Sequence, residues 1–433
     1  MARIKLAYIG GGSTRGAGTM ASLVHNAADF EGSEVVLVDL DADRLELIRT
    51  LSQKMARARG VDLTITATTD RRAALRDCDA VLSSFRPGGF GARAKDERIP
   101  LNHGVIGQET QGPGGFFMAL RAIAVLKDIC AEMEDVCPGA WLFNYTNPVN
   151  LVAEAVTHHS PIRCVSLCEG PIYFVDHMAE YAELDPAKLS ATMVGLNHGC
   201  WSVEHTYDGE DAIPHIEAAW ERRHDDPGLS PIGRRLLRLG AAMGSIPAEY
   251  FMYYYFRDEI VSELAARPTT RAEDIMSWAP DYWRHYEEQA ATDDPQLDPR
   301  RSRGGIHELE LAIDVMDAIF NDKDEVHPVN VPNAGGALAG FPDDLVVEVW
   351  GRCNRAGIEP LQAPPLPAHV RGLVEMLAEY QAVAAEAAWS GRRRDAVRAL
   401  AANPLVMRLD LAERLYGELL AAHRDLLPDR LAA

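Results

Sequence analysis

Cys168 and His198 each follow a short apolar run, on separate segments. A soft thiolate and an imidazole can together hold a divalent ion, leaving positions open for substrate oxygens and water. The same two residues also suit a small buried hydrophobe beside an ordinary core histidine, and Cys164, four residues earlier, reads as core. Gly10, Gly11, Gly12, Ser13 and Thr14 close a strand and open a helix, with Gly16 and Gly18 behind them. Such a turn presents backbone N–H groups and the positive end of a helix to a pyrophosphate. The sixth position is Arg15, so G-x-G-x-x-G fails and G-x-G-x-x-x-G fits through Gly10, Gly12 and Gly16. Asp39 ends the second strand, where an acidic residue accepts the ribose hydroxyls of NAD; failing a ligand it is a helix cap. Asn147, before Pro148, closes another strand at the carboxyl edge of the sheet, where such folds bind ligands, although Asn-Pro is also an ordinary turn. The glycine-rich loop 107–115 exposes Gln108, Glu109 and Thr110 to whatever fills the cleft. Around Arg93, Asp96 and Glu97 the charges are too dense for a buried strand, and a solvated helix face is expected. Tyr250 stands with Tyr253, Tyr254 and Tyr255 in one segment; tyrosines so crowded usually pack in cores and interfaces.

The elements that must position these groups alternate. Apolar runs at 4–10, 34–40, 80–85, 140–148 and 163–169 read as buried strands, separated by amphipathic helical stretches. That rhythm predicts an α/β fold, a Rossmann-type doubly wound parallel sheet. It breaks near residue 195, and an α+β part with Ala- and Leu-rich C-terminal helices follows. We therefore expect a dinucleotide-binding domain over 1–195 and a substrate-binding and oligomerisation domain over 196–433. The polar segment 287–305 is the candidate mobile loop.

With 43 Lys+Arg against 64 Asp+Glu, the 433-residue chain carries a formal charge of −21, which repels phosphate backbones and argues against nucleic acid. Seven scattered cysteines without repeated spacing suit reduced thiols in the cytoplasm. The N-terminus reads as a strand rather than a signal peptide, and no run is long and apolar enough to span a membrane.

In family order, IGGGST (9–14), VDLD (38–41), the run from Arg86 through GQET-x-GPGG (to 115), NYTNP (144–148), Cys168, GLNHG (195–199), PAEYFMYYYF (247–256), TTRAEDIM (269–276) and NDKDEVHPVNVPNAG (321–335) resemble the NAD- and metal-dependent family 4 glycoside hydrolases, cousins in fold of the lactate/malate dehydrogenases. GQET-x-GPGG and GLNHG are the specific blocks. The family departs from the usual two-carboxylate scheme. The resemblance implies that NAD+ takes hydride from carbon 3 of the sugar, that a metal (Mn2+) polarises the resulting ketone, and that a protein base then removes the proton on carbon 2. The aglycone leaves, water adds and the hydride returns. It also implies roles. Gly10, Gly11, Gly12, Ser13, Thr14 and Asp39 hold NAD, and Cys168 and His198 hold the metal. Tyr250 is the base. Arg93, Asn147 and Arg271 bind substrate, and Glu109 orients water or a sugar hydroxyl.

One residue departs from the pattern. Members acting on 6-phospho-α-glucosides resemble Cys-Asp, the 6-phospho-β-glucosidases Cys-Asn and those acting on unphosphorylated α-glycosides Cys-His; here the pair is Cys168-Glu169. Glu169 can donate a proton as Asp would, one methylene further out, or be a structural carboxylate. The segment 304–330 most resembles the 6-phospho-β-glucosidase branch, so a 6-phospho-β-glucoside is the expected substrate, with an unphosphorylated or α-linked glycoside as the alternative. A lactate/malate-type dehydrogenase would leave Cys168 and GQET-x-GPGG without a role, and a non-catalytic NAD-bound sensor would need a broken site. The apolar helices after 365 suggest a homo-dimer or homo-tetramer.

Overall fold

The computed structural model describes residues 1–303 and 310–431. Twelve strands are β1 Lys5–Ile9, β2 Ser33–Val38, β3 Leu63–Thr68, β4 Ala80–Ser83, β5 Trp141–Asn144, β6 Arg163–Ser166, β7 Leu189–Leu196, β8 Gly199–Tyr207, β9 Glu210–Asp211, β10 Glu325–Pro332, β11 Val346–Asn354 and β12 Gly357–Pro360. They form one sheet in the order β3-β2-β1-β4-β5-β6-β10-β11-β7-β8-β9, with β12 on β11. The first six are parallel, in the doubly wound order 3-2-1-4-5-6. Alternation along β1 sends Leu6 and Tyr8 into one core and Ala7 and Ile9 into the other, so both faces are covered, as a parallel sheet requires.

The five expected strands are present. To them the structure adds β3, an edge strand whose residues LTITAT leave only Ile65 fully buried and so form no apolar run. The later strands do not build a sheet of their own. β10 pairs antiparallel with β6 through Asn330 and Ser166, and β11 with β7 through Glu348 and Gly195, so the antiparallel part prolongs the first sheet.

Three further segments bear on what the sequence suggests. The charged 91–100 stretch lies in the Gly89–Leu101 helix, but Arg93, Asp96 and Glu97 are buried, not solvated. Burial is tolerable because each charge has a partner: Arg121 and His423 meet Asp96, and Glu97 takes Arg93. Of the polar segment 287–305, residues 287–290 finish the Arg271–Ala290 helix, and Lys54 Nζ holds the carbonyls of Ala290 and Thr292 at 2.7 and 2.9 Å. Residues 304 and 305 lie outside the described part. The apolar faces of the Ala368–Ser390 and Leu409–Ala422 helices are buried within the chain, Tyr380, Ala384, Leu415 and Tyr416 joining Phe116, Phe117 and Leu120 in one core.

Candidate active site

The carboxyl ends of the parallel strands open into a cavity of about 870 Å³ lined by Gly10, Gly12, Ser13, Thr14, Asp39 and Asn147, with Arg15, Arg44, Arg86, Tyr145, Trp283 and Arg303 around them. Gly10 has φ +99°, and a side chain there would strike the carbonyl of Ser84. A Cβ on Gly12 would stand 2.8 Å from that of Asp39. Asp39 fastens the turn by accepting from the N–H of Gly12 at 3.0 Å and of Leu40 at 2.7 Å. The Ser13 hydroxyl is buried without a protein partner. Gly11 differs from its neighbours in packing on Leu37 rather than lining the cavity; its N–H, like that of Gly10, goes to the carbonyl of Val38. Opposite the turn, the Arg271–Ala290 helix brings Met276, Ala279, Pro280 and Trp283 over the cavity, and the Arg44 guanidinium sits 4.6 Å from the Trp283 ring centre.

Asn147 is half-buried at the end of β5. Beneath it Asn144 ties three strand ends together, accepting from Ser83 Oγ at 2.7 Å and donating to Ser166 Oγ at 2.9 Å. Tyr145 leaves the same strand end and its hydroxyl donates to Glu169 at 2.7 Å. Glu169 caps the Gly170–Ala182 helix directly after Cys168.

His198 occupies the tip of the tight turn from β7 to β8, in the left-handed conformation at φ +60°. Its Nε2 faces Cys168 Sγ at 3.7 Å and its Nδ1 faces Thr110 Oγ1 at 3.1 Å. The Tyr250 ring stacks on it, with centres 3.6 Å apart and planes 7° apart. Burial drives the imidazole down to about 3, so it is neutral, and lifts the Cys168 thiol to about 12, helped by the Glu348 and Glu169 carboxylates. Burial also holds the Tyr250 phenol well above its ordinary 10.0, with Cys168 and Glu109 adding to the effect.

Cys168 and His198 fit a metal. Their Sγ and Nε2 stand 3.7 Å apart, a separation that one ion bonded to both could bridge, and soft sulfur with imidazole suits a transition metal. Among the described residues no group of three or more His, Cys, Asp and Glu could hold an ion.

Arginines converge beside this pair. Glu109 Oε2 forms ion pairs with Arg86 at 2.6 Å and Arg93 at 2.8 Å. Burial would raise its carboxyl, but Arg86, Arg93, Arg303 and Arg15 outweigh burial and hold it at about 2. Arg303, stacked 4.4 Å from the Phe90 ring centre, is pushed down to about 9 by burial and by Arg15 and Arg86. Arg86 and Arg303 both line the cavity, so it carries a strong positive field.

The fold thus brings together Gly10, Gly12, Ser13, Thr14, Asp39 and Asn147 along the cavity, and Arg93, Glu109, Cys168, Glu169, His198 and Tyr250 in the clusters described. It does not bring Arg271 there: that side chain is exposed at the start of its helix, 4.9 Å from the Trp278 ring centre. What TTRAED does is build the helix start, with Thr270 and Glu273 forming a capping box and the Ala272 N–H pinned to Glu97 at 2.9 Å. Thr110 is buried against His198 instead of facing the cleft. Sequence reasoning misses Arg86, Tyr145 and Arg303 as contributors. Arg86 follows a strand end and precedes Pro-Gly-Gly, a signal that could have found it; Arg303 had none.

The profile of family 4 glycosyl hydrolases matches residues 5–184, and that of the family's C-terminal domain matches 193–406. A probable 6-phospho-beta-glucosidase of Bacillus subtilis is 36% identical over 440 residues, covering 98% of this chain and 97% of its own. Among solved structures, a 6-phospho-alpha-glucosidase from gut microorganisms in complex with NAD and Mn2+ superposes with a TM-score of 0.86 at 25% identity, covering 98% of this chain and 99% of the other. A 6-phospho-beta glucosidase of Thermotoga maritima with manganese, NAD+ and glucose-6-phosphate gives 0.84 at 24%, over 98% and 99%. Malate dehydrogenase of Plasmodium falciparum shares the fold at a TM-score of 0.53 and 11% identity, covering 90% of this chain and 99% of its own. The chain belongs to family 4 of the glycosyl hydrolases.

Proposed function

We propose that the chain hydrolyses 6-phospho-β-glucosides, with NAD and a divalent metal, Mn2+, as cofactors. The observation that carries this reading is the linkage of three features: a dinucleotide turn whose cavity also holds Arg86 and Tyr145, the Cys168–His198 pair under Tyr250, and arginines outnumbering Glu109. A hydroxy-acid dehydrogenase has no use for the second feature. The third suits a dianionic phosphate on the sugar, since guanidinium forks match phosphate oxygens. The B. subtilis relative favours the β-linked substrate; an α-linked or unphosphorylated glycoside is the alternative.

The turn at Gly10, Gly12, Ser13 and Thr14 lets a pyrophosphate approach the backbone closely and offers it the unpartnered Ser13 hydroxyl, and Asp39 accepts from the ribose hydroxyls. NAD+ supplies a reversible hydride acceptor for carbon 3 of the sugar, which makes the neighbouring carbon 2 acidic. Cys168 and His198 would hold the metal, which when bound would supply Lewis acidity beside the oxidised sugar carbon and the Tyr250 phenol. Burial alone keeps the Tyr250 phenol protonated, so a bound cation would have to bring it to the phenolate before Oη could accept the carbon-2 proton; its ring stays stacked on His198. Glu169, whose carboxylate accepts from the Tyr145 hydroxyl, is assigned as the acid for the leaving oxygen; water then adds and the hydride returns. Asn147 and Arg93 hold the sugar. Glu109 neutralises part of the arginine charge, a different role from orienting water. Residues 1–195 bind the dinucleotide, and 196–433 lend His198 and Tyr250.

Seven free cysteines suit a reducing cytoplasm, and the net charge of −21 disfavours nucleic acid. Among the described residues no helix is long and apolar enough to cross a membrane. A homo-dimer or homo-tetramer would cover Met376 and Val383, which stay exposed on the Ala368–Ser390 helix; light scattering giving 47.5 kDa would refute it. The function itself is tested by nitrophenol release from α- and β-glucosides, with and without a 6-phosphate, using nucleotide-free protein with and without NAD+ and Mn2+. The expected result is release from the 6-phospho-β substrate only when both cofactors are present, with no net NADH. Full turnover of verified nucleotide-free protein refutes it.

A further inference from the structure

His198 is held in two ways with different effects. Stacking on Tyr250 fixes the plane of the imidazole. It does not fix the ring within that plane: a half-turn about the Cβ–Cγ bond exchanges Nδ1 for a carbon and leaves the stack intact. Nor does it decide which nitrogen of the neutral ring carries its one proton. Both matter for a ligand, because a metal binds only a bare nitrogen.

The loop between the Gly89–Leu101 and Gly112–Val136 helices decides both. Gln108 folds its side chain back so that Oε1 accepts from the backbone N–H of Thr110 at 2.5 Å and of Gln111 at 2.8 Å. Backbone N–H groups can only donate, so the atom that receives them is the amide oxygen. The same oxygen lies 2.9 Å from Thr110 Oγ1. Two acceptors cannot sit at that distance without a proton between them, so the Thr110 hydroxyl hydrogen points to Gln108. Thr110 Oγ1 then has only lone pairs left for its other neighbour, His198 Nδ1 at 3.1 Å, and Nδ1 must be the nitrogen that carries hydrogen. Nε2 is left bare, toward Cys168 Sγ at 3.7 Å. The packing of the loop holds this geometry. Thr110 is buried, and glycine at 107 and 114 lets the loop lie directly on the Glu97 carbonyl and lets the next helix start against the carbonyl of Gln108.

We propose that Gln108 and Thr110 are positioning residues that set the His198 tautomer, holding Nδ1 protonated and Nε2 free to ligate. This rests on the reading of Cys168 and His198 as metal ligands. The direction of the relay is one-way: backbone N–H groups fix Gln108, Gln108 fixes the Thr110 hydroxyl, and Thr110 fixes the ring. Without the hydroxyl, nothing on that side selects Nδ1–H, and an Nε2–H form donating to Cys168 competes with ligation. Losing such an outer hydrogen bond typically weakens metal binding about 10–100-fold.

The test begins with metal-free wild-type protein labelled with 15N-histidine, in which the His198 signals are assigned by their loss in His198→Gln. Nitrogen NMR should report a protonated Nδ1 and a bare Nε2. In Thr110→Val, which keeps the side-chain shape, the Nε2–H form should appear and the Mn2+ Kd, read from the free-ion EPR signal, should rise about 10–100-fold; Thr110→Ser should restore both to near wild type. A wild-type His198 protonated at Nε2 overturns the proposal, and that measurement needs no variant to fold. So does a folded Thr110→Val with tautomer and Mn2+ Kd both unchanged. If wild type and His198→Gln bind Mn2+ equally, the metal reading fails instead, while the tautomer in metal-free protein still judges the relay.

Discussion

Removing the charge of Glu109 while keeping its shape, as Glu109→Gln does, should cost the metal-free, nucleotide-free protein about 3 kcal/mol. The figure follows from the depressed carboxyl, held at about 2 against an ordinary 4.5, at about 1.4 kcal/mol per pKa unit. It agrees with the roughly 3–5 kcal/mol lost when one member of a buried ion pair is removed, and Glu109 has two partners, Arg86 and Arg93. Unfolding entropy of about 2.1 cal/mol/K per residue gives about 0.9 kcal/mol/K for 433 residues, so Tm should fall by about 3 °C. The pH dependence has a definite sign. A carboxyl whose folded value lies below its unfolded one stabilises fully above about 4.5 and loses that contribution as pH falls toward about 2. Paired denaturant titrations should therefore show a constant gap between wild type and variant from pH 8 to 5, shrinking to about 1 kcal/mol at pH 3. Inorganic phosphate should raise the Tm of Glu109→Gln more than that of wild type, because the variant leaves the arginines less neutralised. A gap absent at pH 7, or one that persists undiminished at pH 3, would show that the arginines do not hold this carboxylate.

Three further outcomes are expected. Tyr250→Phe keeps the ring on His198 and removes the oxygen, so aglycone release should fall at least ~10²-fold while hydride transfer to NAD+ survives; near-normal turnover, or product from deuterated water lacking label at carbon 2, would move the base elsewhere. Cys168→Ser weakens the soft ligand, so Mn2+ affinity and rate should drop together, and an unchanged Mn2+ titration would remove the metal assignment. Gly12→Ala sets a methyl against Asp39, and strain of about 1–3 kcal/mol should raise the NAD+ Kd about 5- to 100-fold; calorimetry giving the wild-type value would contradict the cavity assignment.

The parallel half of the fold is legible because strands buried on both faces read as unbroken apolar runs, as in KLAYI and SEVVLV. LTITAT at the edge has no such run, since one side of it has nothing to pack against. The union of both halves in one sheet is invisible for another reason: it depends on single pairings, Asn330 with Ser166 and Glu348 with Gly195, between segments far apart in the chain. At the site, the glycine turn, Asp39, Cys168, His198 and Tyr250 could be picked out from residue type and family pattern. Contacts such as Thr110 with His198, 88 positions apart, could not. Arg271, expected at the site from the family pattern, stands on an exposed helix start of this chain, a placement that residue type alone does not reveal.

The partners of Asp96 tie the cavity wall to the order in which the chain is made. Behind the helix that carries Arg93 and Glu97, His423 Nε2 lies 2.8 Å from Asp96, and Arg121 closes on the same carboxylate. Lys95 Nζ reaches the carbonyl of Ala422 at 2.9 Å, and Leu426 rests on Gly88 in the cavity wall. During translation these distal residues leave the ribosome long after the dinucleotide turn and both cofactor-facing strand ends. A nascent chain can therefore assemble its parallel sheet and its glycine turn while the arginine wall still lacks its backing. The rear of that helix closes only when the segment around His423, made hundreds of residues later, folds back onto it.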